Sequence, residues 1–132
     1  MNDIQCPCGS SENYSKCCQK AHINQLEAKT AEALMRSRYS AFALGLGDYL
    51  QQSHYSKTRP SKQQGIETEQ WSKLVSWIKL DVQKSIGGKL NDDEGTVQFC
   101  AYFLESGQVN TIVENSFFKK ENGLWYYVGL AQ

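Results

Sequence analysis

From Ser76 to Leu130 the apolar residues of this chain recur at every second position, whereas from Thr30 to Val75 they recur every third or fourth. A period of two belongs to half-buried strands, and a period near 3.6 to amphipathic helices. The switch therefore constrains the fold to helices first and sheet second. Ile78, Leu80, Val82 and Ile86 alternate with Lys79, Asp81 and Gln83, predicting a first strand. Val97, Phe99, Ala101 and Phe103 mark a second strand over Thr96–Leu104, Val109–Lys119 reads as a third and Leu124–Leu130 as a fourth. The connections are short. Gly87-Gly88 with Asn91 to Gly95, then Ser106-Gly107, then Asn122-Gly123 all supply turn residues, and Asn-Gly favours a two-residue hairpin with positive φ at both positions. Consecutive strands joined so tightly make an antiparallel meander, so the expected class is α+β, with helices packed on one face of a curved four-stranded antiparallel sheet.

Thr30 is placed to cap a helix beginning at Ala31, with Glu32 near its positive end. Leu34, Met35, Tyr39, Phe42, Leu46, Tyr49 and Leu50 trace its apolar stripe, and Gly45 and Gly47 split it, leaving a second helix from about Asp48 to His54. Lys57 to Gly65, with Arg59-Pro60-Ser61, reads as a loop. Thr68 is then expected to cap a short helix whose Trp71, Leu74 and Val75 share a face.

Four of the five cysteines fall within thirteen residues, as Cys6, Cys8, Cys17 and Cys18. Four thiolates complete a tetrahedral zinc shell with no open position, which is what a structural site requires. Pro7 stiffens the turn between the first two, and Gly9 permits a positive φ that turns backbone N–H groups toward sulfur. A segment so short has little core of its own, and metal binding would supply its folding energy. Redox use would call for Cys-x-x-Cys at a helix start beside a βαβ unit, which the sequence lacks. Two disulfides in thirteen residues would be strained and would need an oxidising compartment. Adjacent residues project in different directions, so His22 stands as an alternative to Cys18 for the fourth ligand; otherwise it reads as a solvated linker residue.

Charge excludes the simplest nucleic-acid reading. Lys+Arg and Asp+Glu both number 14, and no basic run offers clustered cationic charge for phosphate. The N-terminus lacks the basic and apolar regions of a secretory signal, and no apolar stretch reaches the roughly 18 residues of a membrane span. The expected location is the cytoplasm.

The stretch Cys6–Cys18 resembles the SEC-C motif, best known from the tail of the SecA translocation ATPase and usually Cys-Pro-Cys-Gly-Ser-Gly-Lys-Lys-Tyr-Lys-Lys-Cys followed by Cys or His. Cys6, Pro7, Cys8, Gly9, Ser10, Tyr14, Lys16, Cys17 and Cys18 match in register. Ser11 replaces the second glycine, and Glu12, Asn13 and Ser15 replace lysines, so the basic surface of the motif is largely lost. The run "ALMRSRYSAFALGLGDYL" from Ala33 to Leu50, His54 and the closing "KKENGLWYY" extend the likeness, and nearly the whole chain resembles the YchJ-like family of SEC-C-containing bacterial proteins. That resemblance implies a nuclear transport factor 2-like, or cystatin-like, cone enclosing a cavity, and a bound zinc; it implies no reaction. Two departures stand out. The second Cys-Pro-Cys-Gly motif of many members is absent, and Glu114-Asn115-Ser116-Phe117-Phe118 occupies a stretch where members tend to carry arginines.

The expected organisation is a zinc motif over residues 1–22, a linker over 23–29 and the α+β domain over 30–132. Arg38 falls on the stripe that should meet the sheet, where a guanidinium needs a carboxylate or backbone carbonyls. Glu114, alternating with Ile112 and Ser116, is the candidate partner. Either the two form a buried ion pair, or Arg38 clamps an anion in a pocket with Tyr39, His54 and Glu114 around it. Arg36 is expected in solvent, and Cys100 and the tryptophans in the packing. The leading functional expectation is a non-enzymatic module whose zinc knuckle meets a protein partner; the competitor is a small-molecule enzyme or binder using the cavity around those four residues.

Overall fold

The structure, a computed structural model, describes residues 3–131. Four α-helices precede four strands: α1 (Cys18–Ile23), α2 (Ala31–Leu44), α3 (Gly47–Gln52) and α4 (Lys62–Leu74), then β1 (Ser76–Gly87), β2 (Glu94–Glu105), β3 (Gln108–Glu121) and β4 (Leu124–Leu130). The strands form one open antiparallel sheet in the order β1-β2-β3-β4. The α+β meander expected from the period switch is the observed architecture.

Helix α2 is the spine. The Thr30 hydroxyl accepts from the Ala33 amide at 3.0 Å, and Gly45, left-handed at φ 71°, ψ 34°, closes the other end. There the Leu46 amide reaches back to the Ala41 carbonyl and the Gly45 amide to that of Phe42, the paired bonds of a Schellman cap. The start of α2 is tied to the sheet: the Ala31 amide donates to the Gly88 carbonyl at 2.9 Å. Gly88 makes that approach possible, since a Cβ there would lie 2.5 Å from the Ala31 Cβ, and Gly95 gives Gly88 room in turn, since its own Cβ would lie 2.4 Å from the Gly88 Cα. Leu34 of α2 and, beneath it, Val97, Phe118 and Trp125 are fully buried.

Three sequence expectations are corrected here. Helix α4 begins at Lys62, not Thr68, because Ser61 and Gln64 form a capping box; Thr68 lies mid-helix. Leu74 then points to solvent at 83 % exposure while Val75, beyond the helix end, is buried, so the two do not share a face with Trp71. In β1, register shifts between Trp77 and Lys79 and between Val82 and Lys84 break the alternation, leaving Ile78 and Ile86 exposed while Leu80 stays buried. A bulge adds one residue and so flips the faces of the residues beyond it. The hairpin turns agree with their sequences: Asn122 and Gly123 have φ of 54° and 82°, and Ser106 and Gly107 of 52° and 78°.

Candidate metal centre and cavity

The sulfurs of Cys6, Cys8, Cys17 and Cys18 all lie within 4.8 Å of one another. A tetrahedral zinc-type shell with metal–sulfur bonds of about 2.3 Å sets its sulfurs about 3.8 Å apart. The Cys8 to Cys17 separation is 3.6 Å, so the donor set and its spacing fit a four-coordinate metal. Cys6, Cys8 and Cys18 are buried, and Cys17 is half-buried. Contact with the Cys18 thiol, chiefly, holds the Cys8 thiol below its ordinary pKa, while Cys18 is pushed up by that contact and by burial.

The loop that presents these sulfurs is held by its own backbone. The Cys6 amide donates to the Glu12 carbonyl at 2.8 Å, and the Tyr14 amide to that of Ile4 at 2.7 Å. Gly9 has φ 83°, the positive φ that a glycine there permits, and Ser11 adopts φ 72° in the place where the motif usually has glycine. The Ser10 hydroxyl lies 3.1 Å from the Cys17 sulfur and the Ser40 hydroxyl 3.6 Å from that of Cys6. Such outer contacts orient thiolate donors.

The knuckle is seated on α2 rather than hung from a solvated tether. Arg36, expected in solvent, donates to the Cys8 carbonyl at 2.8 Å while pairing with Glu32 at 3.0 Å. His22 is also placed differently from expectation. Its Nε2 donates to the Ser37 carbonyl at 2.8 Å, which leaves Nδ1 to accept from the Tyr14 hydroxyl at 2.6 Å. Both ring nitrogens are therefore occupied, and Cys18, not His22, completes the sulfur group. Burial lowers the His22 pKa, so it bridges knuckle and helix as a neutral ring, with the Tyr49 ring edge-on at 4.7 Å. Sequence reading missed this seat. The small residues Ser37, Ser40 and Ala41, all at most 1 % exposed, were the available signal that something packs closely on that face of α2.

The opposite face of α2 looks onto a cavity of about 320 Å³ between helices and sheet, lined by Arg38, Tyr39 and Glu114 among mostly aromatic side chains. The expected ion pair is not formed. Arg38 Nη1 donates instead to the Leu50 carbonyl at 2.8 Å and the Ser53 hydroxyl at 2.6 Å, and its guanidinium lies 4.7 Å from the Tyr127 ring centre. Glu114 accepts from the Ser116 hydroxyl at 3.2 Å. The reason is local: the tail of α3 pairs with β4, Tyr55 N to Tyr127 O and Tyr127 N to Ser53 O, and so brings carbonyl and hydroxyl acceptors to Arg38. Burial pulls the Arg38 pKa down to about 10, leaving it charged at neutral pH. His54 lies behind Tyr127, ring centres 5.0 Å apart, and faces a smaller cavity of about 210 Å³ that shares Arg38 and Tyr127. Burial, then Arg38 and Arg59, depress the His54 pKa to about 4. Arg38, Tyr39 and Glu114 thus share one cavity and His54 belongs to its neighbour.

The family model described as "YchJ, middle NTF2-like domain" matches residues 30–129. The chain belongs to the YchJ-like family. A UPF0225 protein of Vibrio parahaemolyticus is 46% identical over 128 residues, covering 93% of this chain and 72% of that protein. One from Chromobacterium violaceum is 41% identical, covering 93% and 89%. Among solved structures, a SEC-C motif containing protein from Rhodopseudomonas palustris superposes with a TM-score of 0.82 at 31% identity, over 95% of each chain. Another, from Psychrobacter arcticus, gives 0.77 at 28% identity, over 97% of this chain and 83% of that one. Both are SEC-C proteins by name and share this fold over most of their length. No helix among the described residues is long and apolar enough to cross a membrane.

Proposed function

We propose that this YchJ-like chain is a zinc-carrying protein-interaction module in which the SEC-C knuckle meets a protein partner in the cytoplasm. The observation that carries the reading is the closed sulfur group: four donors, three of them buried, leave no position for a substrate or an activated water. Zinc suits an all-thiolate tetrahedral shell and keeps it free of redox change. None of the five cysteines is joined in a disulfide, which leaves the four clustered sulfurs available to a metal. Beside the sulfurs, Ser11, Glu12, Ser15 and Lys16 are exposed and available for contact. With Glu12, Asn13 and Ser15 in place of lysines, that contact relies on shape and hydrogen bonding more than on positive charge.

The test is crosslinking in cell extract with the zinc-loaded protein and with a Glu12→Trp/Lys16→Trp variant that keeps every cysteine but changes the shape and hydrogen bonding of the exposed edge. The module reading expects a partner crosslinked through the knuckle and lost in the variant. Equal recovery of the same proteins by both would overturn it. A second reading, a small-molecule binder or enzyme using the cavity, is favoured by one observation: the cavity is open and Arg38 and Glu114 are not bonded to each other.

A further inference from the structure

The cavity lining carries two charges of opposite sign, Arg38 and Glu114, and is otherwise aromatic or neutral. Tyr39, Phe42, Trp71, Trp77, Phe99 and Tyr127 make its walls, several packed edge-to-face, as with Trp71 and Trp77 at 5.6 Å and 90°. Walls of this kind admit a flat ring and gain from its stacking. The polar groups are only partly used. Nη1 of Arg38 is engaged, but Nε and Nη2 have no hydrogen-bond partner among the described residues. No buried side-chain polar atom there is sealed away unpaired, so those donors reach open space, and Arg38 lines both this cavity and the smaller one beside it. Glu114 has one oxygen on Ser116 and the other free.

Charge balance selects the ligand. A buried anion would pair with Arg38 but confront Glu114, and a buried cation would do the reverse; each leaves one charge desolvated and opposed. A neutral group with an acceptor and a donor side by side satisfies both. Building on the cavity-binder reading, we propose that the cavity binds a small, neutral, planar aromatic molecule carrying an amide-type edge, its carbonyl accepting from Arg38 and its N–H donating to Glu114. At about 320 Å³ the space lies at the small end of ligand pockets and suits one substituted ring system.

The test uses full-length zinc-loaded protein and a matched series: benzamide, benzoate, benzamidine and toluene. Binding is read from the indole N–H signals of the three tryptophans. Trp71 and Trp77 line the cavity, whereas Trp125 donates to the Lys29 carbonyl elsewhere and serves as the internal control. Benzamide should shift Trp71 and Trp77 saturably, at least tenfold more tightly than benzoate or benzamidine, with Trp125 unmoved. Glu114→Gln should bring benzoate up about tenfold, and Arg38→Met, if it folds, should do the same for benzamidine. No saturable shift with any of the four would remove the cavity reading itself. Saturation with benzoate, benzamidine or toluene tightest, or an unchanged ranking in Glu114→Gln, would remove the amide-edge ligand alone.

Discussion

Truncating Arg38 separates two accounts of the buried guanidinium. If Arg38 and Glu114 formed a buried ion pair, removing either would cost about 3–5 kcal/mol, because the survivor would be stranded. The observed partners are neutral. Arg38→Met gives up two hydrogen bonds, at 2.8 and 2.6 Å, and a cation–π contact at 4.7 Å. Charge-assisted bonds contribute about 1.5–3 kcal/mol each, against a desolvation cost of several kcal/mol for burying the cation. Little is stranded afterwards: the Ser53 hydroxyl still donates to the Tyr49 carbonyl at 2.7 Å and lies 3.5 Å from that of Leu50. The net loss should be about 1–3 kcal/mol. Glu114→Gln should cost less than about 0.5 kcal/mol, since an amide oxygen can accept from Ser116 as the carboxylate does. The assay is urea unfolding of zinc-loaded single and double variants, followed by tryptophan fluorescence. The predicted coupling between the two sites is below about 0.5 kcal/mol, and a coupling above about 2 kcal/mol would refute the reasoning.

Other perturbations probe the seat of the knuckle and the second cavity. His22→Ala removes bonds at 2.6 and 2.8 Å and an edge-on ring contact, and should destabilise by about 2–3 kcal/mol. Metal content of that variant should stay unchanged, whereas loss of the metal would show that the four sulfurs do not hold it without the His22 seat. Ser11→Gly relieves a left-handed backbone at φ 72° but adds freedom to the unfolded chain, for a net gain of about 0.5 kcal/mol in a thermal melt. His54 has a folded pKa of about 4 against an ordinary 6.5. The unfolded chain therefore takes up a proton below about pH 6.5 that the folded chain refuses until about pH 4, and stability falls as pH drops through that window. Allowing for the ring's partial exposure, the loss is about 1–2 kcal/mol. His54→Gln should remove that part of the pH profile, and identical profiles for both proteins would show that His54 is not buried as described.

The sheet was legible because period-two alternation and Asn-Gly or Ser-Gly turns are local signals, and β2, β3 and β4 follow them closely. β1 was less so: its bulges are settled by pairing with β2, so Ile78 and Ile86 looked inward in the sequence and face solvent in the fold. The start of α4 was written in Ser61 and Gln64, but Pro60 and Gly65 around them resemble a loop. The sulfur group was legible from spacing alone. Its seat on α2 was not, since His22, Arg36 and Ser40 meet the knuckle only through tertiary packing. Arg38 was recognised as buried. Its true acceptors are a carbonyl and a hydroxyl at the end of α3, groups to which a residue pattern gives no direction.

X-ray absorption at the zinc edge of the purified, metal-replete protein tests the central claim most directly. The account predicts one zinc per chain surrounded by four sulfurs at about 2.3 Å. A nitrogen or oxygen in that shell, or a protein folded with no zinc bound, would contradict a closed site built from Cys6, Cys8, Cys17 and Cys18.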